Sequence, residues 1–484
     1  MTETKYDRMF VGSEVKERQA FLEGLLDTHY SGRSSATFTI AAADATWPFK
    51  ADEQCKGNYD DEVIQAAIAA TPSSGGEIQL SEGTFRTNVA IVMNKPIKLN
   101  GCSGWSTLIQ PNNDTDCDVI QINGGGTHIY FPTIMNMQIH GNKDNQTTGG
   151  YGICGIGDYS DSIIQNVFVL RCKKSGIYHT DSWYNQLNRV WVEYCEGEGV
   201  YLETSDFVAM ACRFSENGEN GVLVKTSKEA RIIGSSIDKN KKNGVRIFEG
   251  VQGMYIGGCA IDNNSYENAG NYSGIVRDGG APGYNYAISI IGNAIGSPEN
   301  DTQKYGIDIT DYKAGLVITG NTIFKEHTGK IHMGASDAGD PCMASIIKNN
   351  SGLSMADQMD YEYMTNGSGG DLTAGTVVVY KAVPTLDEFT TTIAQGNDMV
   401  TGVLAEDIAN NAEGRVLTEG KTTLMKVNGI VDIVVGNYLG TFTEAGIAMK
   451  AAAGDMAIAI AMEAYAGDDS NGVIDALVVK PRKI

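Results

Sequence analysis

Carboxylates next to aromatic side chains are the residues of this sequence best suited to chemistry. Asp181, Glu203 and Asp206 follow short apolar segments. Aromatic and imidazole side chains lie near them in the sequence: Tyr178, His179, Trp183, Tyr184 and Tyr201. Two carboxyl groups about 5–10 Å apart, one protonated and one ionised, are sufficient to hydrolyse a glycosidic bond. The cluster is therefore the best candidate for a sugar platform with catalytic acids, and the alternative is an ordinary solvent-exposed face.

A second group of carboxylates is formed by Glu193, Asp238 and Asp262, which each come one residue after an apolar residue of a repeated pattern. Successive side chains of a strand point to opposite faces of the sheet. These three carboxylates therefore point outward if the apolar residues point inward. We expect them to stack as solvated surface charges.

Motifs of other reaction classes lack the context that they need. The segment from Gly150 to Gly155 matches GxGxxG, but no helix follows it to bind a phosphate group at its N-terminus. Gly124, Gly125 and Gly126 are typical of a tight turn. The histidines have no zinc-ligand spacing, and the sequence contains no CxxC pair, HExxH motif or nucleophile elbow. We predict no catalytic residue, metal or cofactor, and mostly reduced, buried thiols.

The element that positions these residues is a repeat in which glycine precedes a β-branched aliphatic residue. The glycines recur 22 to 32 residues apart, at 152, 176, 199, 221, 244, 274 and 306. An apolar column precedes four of them by seven residues and continues beyond: Val169, Val192, Phe214, Ile237, Ile261, Ile295 and Ile323. Periods of this length indicate a solenoid, and short alternating runs without helical periodicity indicate strands. The pattern predicts a right-handed parallel β-helix.

Another column follows the apolar one by three residues and consists of Cys172, Cys195, Asn217, Asn240 and Asn264. Equivalent side chains of successive coils lie about 4.8 Å apart. Asparagine can then hydrogen-bond its neighbours and tolerates left-handed turn conformations, while cysteine fills the same position as a small apolar residue. We interpret this column as structural and not as a metal site.

The N-terminal part is predicted to contain two helices. Residues Glu14 to Thr28 carry an apolar stripe, so this helix either caps the β-helix or meets copies of itself.

A second helix includes Asp60-Asp61 and Ile64-Gln65-Ala66-Ala67-Ile68 and is followed by Gly75-Gly76 and the strand Leu80 to Phe85. This order resembles the N-terminal cap of the pectate-lyase-like superfamily, over residues 40 to about 350. The resemblance implies the fold, which is common in phage tailspikes and polysaccharide-active enzymes. A pectate-lyase calcium site would need clustered aspartates and a catalytic arginine, and Arg213 and Arg231 do not match it closely.

The repeat ends near Gly352, and the C-terminal part has a different pattern. Short apolar strands separated by Gly, Asn and Asp turns predict a small β-sandwich or barrel. The order of Gly402-Val403-Leu404-Ala405-Glu406-Asp407-Ile408, Gly414-Arg415-Val416, and Val435-Gly436-Asn437-Tyr438 resembles the small β-domains of phage capsid decoration and head-fibre proteins, which often form trimers. We divide the chain into an N-terminal arm (1–39), a β-helix (40–352), a linker (353–371) and a small β-domain (372–484).

Composition and charge exclude several classes of binding partner. A formal charge of −22 argues against nucleic acid and anionic membranes as partners. We expect neither a signal peptide nor a transmembrane helix, because residues Met1 to Arg18 carry mixed charges and the sequence contains no run of 18 apolar residues. We expect a structural virion protein of a tailed phage, made in the host cytoplasm and exposed on the virion surface. It would be a homotrimeric capsid decoration or head-fibre protein bound to capsid or other virion proteins. The alternatives are a tailspike depolymerase and a glycan-binding adhesin for host surface polysaccharide; which end anchors the protein stays open.

Overall fold

The computed structural model describes residues 37–46, 51–279, 287–297, 300–310, 315–333, 346–351, 359–381, 388–392, 394–466 and 471–484. The predicted helix from Glu14 to Thr28 lies outside these residues. Residues 37 to 351 form a right-handed parallel β-helix, as predicted, and a separate β-domain follows. Among the described residues, no helix is long and apolar enough to cross a membrane.

Each regular coil of the β-helix contributes one strand to each of three faces, called here faces A, B and C. Face A contains Thr37–Ala41, Gly76–Leu80, Ile97–Asn100, Thr133–His140, Ile163–Leu170, Asn185–Asn188, Asp206–Met210, Glu229–Ile233, Gly253–Gly257, Ala287–Ile291, Leu316–Thr319 and Ile346–Lys348. Face B contains Gly83–Thr87, Thr107–Pro111, the second halves of Thr133–His140 and Ile163–Leu170, then Trp191–Glu193, Arg213–Ser215, Ser236–Asp238, Ala260–Asp262, Ala294–Ile295 and Thr322–Ile323.

Face C contains Ile91–Met93, Ile120–Ile122, Ile153–Gly155, Ile177–Thr180, Val200–Glu203, Val222–Ser227, Val245–Val251, Ile275–Arg277, Tyr305–Ile309 and Gly329–Met333. Three coils add a two-residue strand each, which together form a small parallel sheet of Ile129–Tyr130, Tyr159–Ser160 and Ser182–Trp183. The remaining elements are Glu53–Gln54, which pairs with the first strand, and a 3-10 turn at Lys143–Asn145.

The predicted columns lie inside the β-helix. The residues from Val169 through Ile323 pair in register along face B and are buried, as are the aliphatic residues that follow the repeated glycines. Glycine is required where coils approach closely: a Cβ on Gly176 would stand 2.1 Å from Cγ1 of Val192. One continuous apolar cluster results, from Ile40 to Ile347.

The asparagine column forms a buried hydrogen-bonded ladder. The Nδ2 of Asn217 donates to Oδ1 of Asn240 (3.0 Å), and Asn240 donates in the same way to Asn264 (2.9 Å). Gln303 extends the ladder by accepting from Asn264 at 3.1 Å, and its own amide donates to Glu326 at 3.2 Å. The left-handed conformation expected at these asparagines belongs instead to the preceding residues, such as Glu216 and Lys239. A second ladder, of Asn293, Asn321 and Asn350, was not predicted.

The predicted cap helix spans Asp60–Ala70 and closes the N-terminal end of the core with Ile64 and Ile68. Its two aspartates are buried because they bind backbone amides. Asp60 accepts from Lys56, Gly57 and Arg86, and Asp61 accepts from Asn88 at 2.7 Å. Carboxylates near a helix N-terminus also interact favourably with the helix dipole. The Asp-Asp pair therefore joins the cap to the first coils.

The C-terminal β-domain is mainly antiparallel. Its strands are Met359–Asn366, Val377–Tyr380, Glu388–Thr390, Val400–Leu404, Glu413–Asn428, Tyr438–Thr441, Ala448–Lys450, Met456–Ala461 and Asn471–Lys483. The long strand Glu413–Asn428 pairs with Met359–Asn366 in its first half and with Asn471–Lys483 in its second. Met359–Asn366 lies within the stretch assigned to a linker and also pairs with Ile346–Lys348 of the β-helix. The two regions are thus joined by an antiparallel strand pair.

Candidate functional site

A cleft of about 330 Å³ opens where the chain turns from face C to face A. Segments of four successive coils line it: Asp181, Ser182, Trp183, Glu203, Thr204, Ser205, Thr226, Ser227, Lys228, Gly250 and Gln252. Asp181, Trp183 and Glu203 of the predicted cluster therefore lie in one cleft. Asp206 begins the next face A strand and is not among the lining residues.

Strand register and turn geometry position the two acidic side chains. Glu203 ends a face C strand and pairs with Thr180 of the preceding coil, and Asp181 follows Thr180 directly. Asp181 has a φ of 51°, the left-handed conformation that aspartate and asparagine tolerate best. The two carboxylates thus come from adjacent coils, whose strands lie about 4.8 Å apart.

A β-bulge places a cation beside Glu203. The register shifts between Leu202 and Glu203, so Glu203 pairs with Thr226 and Lys225 becomes the extra residue. The Nζ of Lys225 lies 3.1 Å from Oε1 of Glu203, and the Tyr201 hydroxyl donates to Oε2 at 3.2 Å. Hydrogen bonds with Glu203 and Tyr201 raise the pKa of Lys225. Both carboxylate oxygens of Glu203 therefore have a partner on the outside of face C.

Other groups in the cleft have unused hydrogen-bonding capacity. Within the described part of the chain, no hydrogen bond or ion pair engages the side chains of Asp181, Lys228 or Gln252. The hydroxyl of Thr204 is buried without a hydrogen-bond partner among those same residues. The cleft therefore offers both donors and acceptors to a polar ligand.

An aromatic platform borders the cleft on the small parallel sheet. Tyr130, Ser160 and Trp183 are register partners on three successive strands of this sheet. The centroid of the His128 ring lies 4.3 Å from that of Tyr130 and 5.4 Å from that of Trp183. Four large side chains of this region are exposed: Tyr130, Phe131, Trp183 and Tyr184. Trp183 belongs to both the platform and the cleft. His128, Tyr130 and Phe131 were not predicted as part of the site, because their coil precedes the regular repeat.

The other predicted aromatic residues lie elsewhere. His179 is not part of the platform: it is two residues after the inward-pointing Ile177, so alternation places it inside the β-helix, where its Nδ1 contacts the Tyr159 hydroxyl. Burial lowers the pKa of His179 to about 3. Tyr178 lies between Tyr151 and Tyr201 in a stack on the outside of face C, with its ring centroid 4.5 Å from that of Tyr151 and 4.7 Å from that of Tyr201.

The second group of carboxylates lies on face B in the predicted column. Glu193, Ser215, Asp238 and Asp262 pair in register on successive coils. Arg213 joins two of them, because its Nε lies 3.1 Å from Glu193 and 3.7 Å from Asp238. These carboxylates are more buried than expected, and burial raises the pKa values of Glu193 and Asp262. Arg231 pairs with Glu229 on face A.

The other motifs have structural surroundings. The GxGxxG segment enters the face C strand Ile153–Gly155, and the next element is another strand. The eight described cysteines are free thiols, and six of them are buried. Within the described ranges, no group of three or more His, Cys, Asp or Glu side chains is arranged to hold a metal ion.

No family model matches the chain, and no curated protein matches it. Similar solved structures include the A-module of the mannuronan C-5 epimerase AlgE6 of Azotobacter vinelandii, with 17% identity and a TM-score of 0.40 over 62% of this chain and 97% of that chain. Another is ORF18 of Geobacillus virus E2, with 14% identity and a TM-score of 0.47 over 96% of this chain and 89% of that chain. A third is tailspike protein 2 of an Escherichia coli O157:H7 bacteriophage, with 12% identity and a TM-score of 0.45 over 86% and 60% of the two chains. Likeness at this level gives no information on activity.

Proposed function

We propose that this chain is a surface protein of a tailed-phage virion whose β-helix binds a host surface glycan in the cleft beside Trp183. The observation that carries the glycan part is the combination of unused polar groups with an adjoining aromatic platform. Sugar rings offer C–H faces that pack on aromatic rings and hydroxyls that bond to carboxylate, amide and ammonium groups. The virion part rests on the resemblances of the cap and of the C-terminal motifs.

The contacts of the two acidic side chains favour binding over cleavage. A glycosidase of the two-carboxylate type needs an acid and a second carboxylate that both reach the scissile bond. Both oxygens of Glu203 are already engaged, Oε1 by the Nζ of Lys225 and Oε2 by the Tyr201 hydroxyl. Asp181 lies at an exposed turn, and among the described residues no second carboxylate is bound to it by a hydrogen bond. The cleft is thus better suited to an adhesin than to a depolymerase.

The test is binding to an array of bacterial surface polysaccharides. We expect Trp183→Ala and Glu203→Gln to weaken binding at least about tenfold, because each removes a central contact. Tyr266→Ala, which truncates an exposed aromatic residue away from the cleft, is the control. Binding that persists in both cleft variants would refute the proposal.

The depolymerase alternative has its own test. New reducing ends or unsaturated sugars after incubation with a bound polysaccharide would reveal cleavage. Loss of that product in Asp181→Asn or Glu203→Gln would assign it to the cleft. Asparagine keeps the left-handed turn at position 181, so this variant changes the charge without straining the backbone.

For the virion part of the proposal, we propose that the chain is a homotrimeric capsid decoration or head-fibre protein. It is favoured by the C-terminal β-domain, which has apolar clusters of its own. Electron microscopy of virions labelled with an antibody against residues 371–484 tests it. Label on the head supports this role, label at the tail tip supports a tailspike, and unlabelled virions contradict both. Light scattering of the purified protein tests the trimer.

A further inference from the structure

A row of large side chains runs along the outside of face B, whereas the cleft opens between faces C and A. This aromatic stripe consists of Trp105, Phe168, Trp191 and Arg213. Phe168, Trp191 and Arg213 pair in register on three successive coils. The ring centroids are 4.6 Å apart between Trp105 and Phe168 and 4.8 Å apart between Phe168 and Trp191. Trp105 is 70% exposed and Trp191 is 37% exposed.

The turn that presents Trp105 is fitted to the stripe. A Cβ on Gly104 would stand 2.3 Å from Cε2 of Phe168, so glycine is needed for the turn to approach that ring. The hydroxyls of Ser103 and Ser106 are 2.8 Å apart, and Ser103 accepts from the backbone amide of Ser106 at 3.2 Å. Packing and hydrogen bonds together therefore hold Trp105 in line with the other rings.

Carboxylates line one side of the stripe. Glu193, Asp238 and Asp262 form the outward column beside it, and Glu216 accepts a hydrogen bond from Tyr194 on the neighbouring turn. Arg213 bridges Glu193 and Asp238. The surface thus combines apolar ring faces with hydrogen-bond acceptors and carries an excess of negative charge.

We propose that the aromatic stripe is a second binding surface, for an uncharged polysaccharide that lies along the β-helix axis. Pyranose rings would pack on the indole and phenyl faces, and their hydroxyls would donate to the carboxylates, which form stronger hydrogen bonds than neutral acceptors. Three coils span about 10–15 Å, the length of a short oligosaccharide. An acidic polysaccharide would be repelled by the carboxylate column.

A second copy of the chain is the less suitable occupant. Interfaces between protein subunits are depleted of charged residues at their centre. Docking two copies through this surface would bring their carboxylate columns together, and like charges in contact disfavour association. The stripe shares no residue with the cleft, so this proposal does not depend on the one made for the cleft.

Affinity electrophoresis of the full chain in gels that contain dextran, mannan or galactomannan tests the proposal, with alginate as the acidic probe. We expect retardation in at least one neutral gel and none in alginate. Trp191→Ala and Trp105→Ala should each weaken retardation at least about fivefold, whereas Trp191→Phe, which keeps a ring, should retain most of it. Tyr266→Ala is the matched control, and circular dichroism checks that each variant is folded.

Any of four results would overturn the proposal. The first is no retardation in any neutral gel, and the second is retardation that Trp191→Ala and Trp105→Ala leave unchanged. The third is a fall in the solution mass of Trp191→Ala, which would identify the stripe as a contact between copies. Retardation lost only in Trp183→Ala would assign binding to the cleft and likewise reject the stripe. Failure of the cleft proposal alone would show as unchanged binding in Trp183→Ala and lost binding in Trp191→Ala.

Discussion

The β-helix and the C-terminal β-domain are both rich in short strands, but different contacts hold them together. In the β-helix, strands are parallel and each inward residue contacts its equivalents on the coils before and after it, so one apolar cluster runs from Ile40 to Ile347. In the β-domain, most strands are antiparallel, and two main clusters form around Val403 and around Phe389. The first region therefore depends on columns of like residues, whereas the second depends on pairings between distant segments.

The strand Glu413–Asn428 illustrates the difference. Its buried residues contribute to both clusters of the β-domain, with Val416 in one and Met425 in the other. No strand of the β-helix has this role, because each coil repeats the contacts of its neighbours. We therefore expect core defects to be confined to one region of the molecule.

The largest effect is expected for Phe389→Ala in the β-domain. Phe389 is fully buried, and truncating a buried phenylalanine costs about 3–5 kcal/mol. Urea unfolding followed by hydrogen exchange should show the β-domain destabilised and the β-helix unchanged. Equal destabilisation of the β-domain and the β-helix would mean that the molecule unfolds as one unit and that core defects are not confined to one region.

A smaller loss, about 2–4 kcal/mol, is expected for Asn240→Ala. The Asn240 side chain accepts from the Asn217 amide and donates to Asn264 and to the Phe214 carbonyl, all in buried surroundings. Asn100→Ala is the matched control, because Asn100 belongs to a half-buried ladder with Asn136. Thermal unfolding should show the β-helix transition falling further for Asn240→Ala. Similar losses of stability for both variants would show that the buried ladder contributes no more than the half-buried one.

The pH dependence of the β-helix should change in Glu326→Gln. Burial raises the pKa of Glu326 to about 8, from an ordinary 4.5. Between these values the folded state holds a proton that the unfolded state has lost, so stability falls as pH rises through this range. Glutamine stays neutral and accepts from Gln303 in the same way. The free energy of unfolding of the variant should therefore decrease by about 1–3 kcal/mol less than that of the wild type over this pH range.

Melting temperatures measured from pH 5 to pH 8.5 check this prediction. The wild-type curve should decline more steeply than that of the variant. Parallel curves would show that Glu326 does not titrate in this range. The β-domain transition, which contains no part of the ladder, is the internal control.

The smallest effects are expected for exposed ion pairs in either region. Lys98 lies 2.9 Å from Glu77 on the β-helix, and Lys381 lies 2.7 Å from Glu388 on the β-domain. Exposed pairs contribute about 0–1 kcal/mol each. Lys98→Ala and Lys381→Ala should therefore leave both unfolding transitions nearly unchanged in 0.15 M salt. A loss comparable with that of Asn240→Ala would show that surface charge distinguishes the two regions.

The sequence predicted the β-helix well because its period is almost constant between Gly152 and Gly244. The same regularity revealed the ladder from Asn217 to Asn264 and missed the one from Asn293 to Asn350, whose coils are longer and contain loops. In the β-domain, the strands containing Val403 and Tyr438 were predicted, but local patterns carry no information on which strands pair. The strand Met359–Asn366 lies where a linker was expected, because the polar, glycine-rich residues from Asn366 to Gly370 are typical of a linker.

The candidate site was predicted in part for the same reason. Asp181, Trp183 and Glu203 were found because they follow the repeat. His179 could have been excluded by alternation, since Ile177 two residues earlier points inward. Tyr130 and Phe131 come from a coil outside the regular period. They lie near Trp183 because of the three-stranded sheet, which no pattern in the sequence predicts.

Stacking of coils also makes the β-helix a molecular ruler. Five further face C strands follow the one that ends at Glu203, the last being Gly329–Met333. Each adds one strand spacing, so the last lies about 25 Å along the axis from the cleft. Adding or removing one whole coil in this part would alter that reach in steps of about 5 Å and leave the lining of the cleft intact. The number of coils thus determines how far the cleft lies from the end of the β-helix.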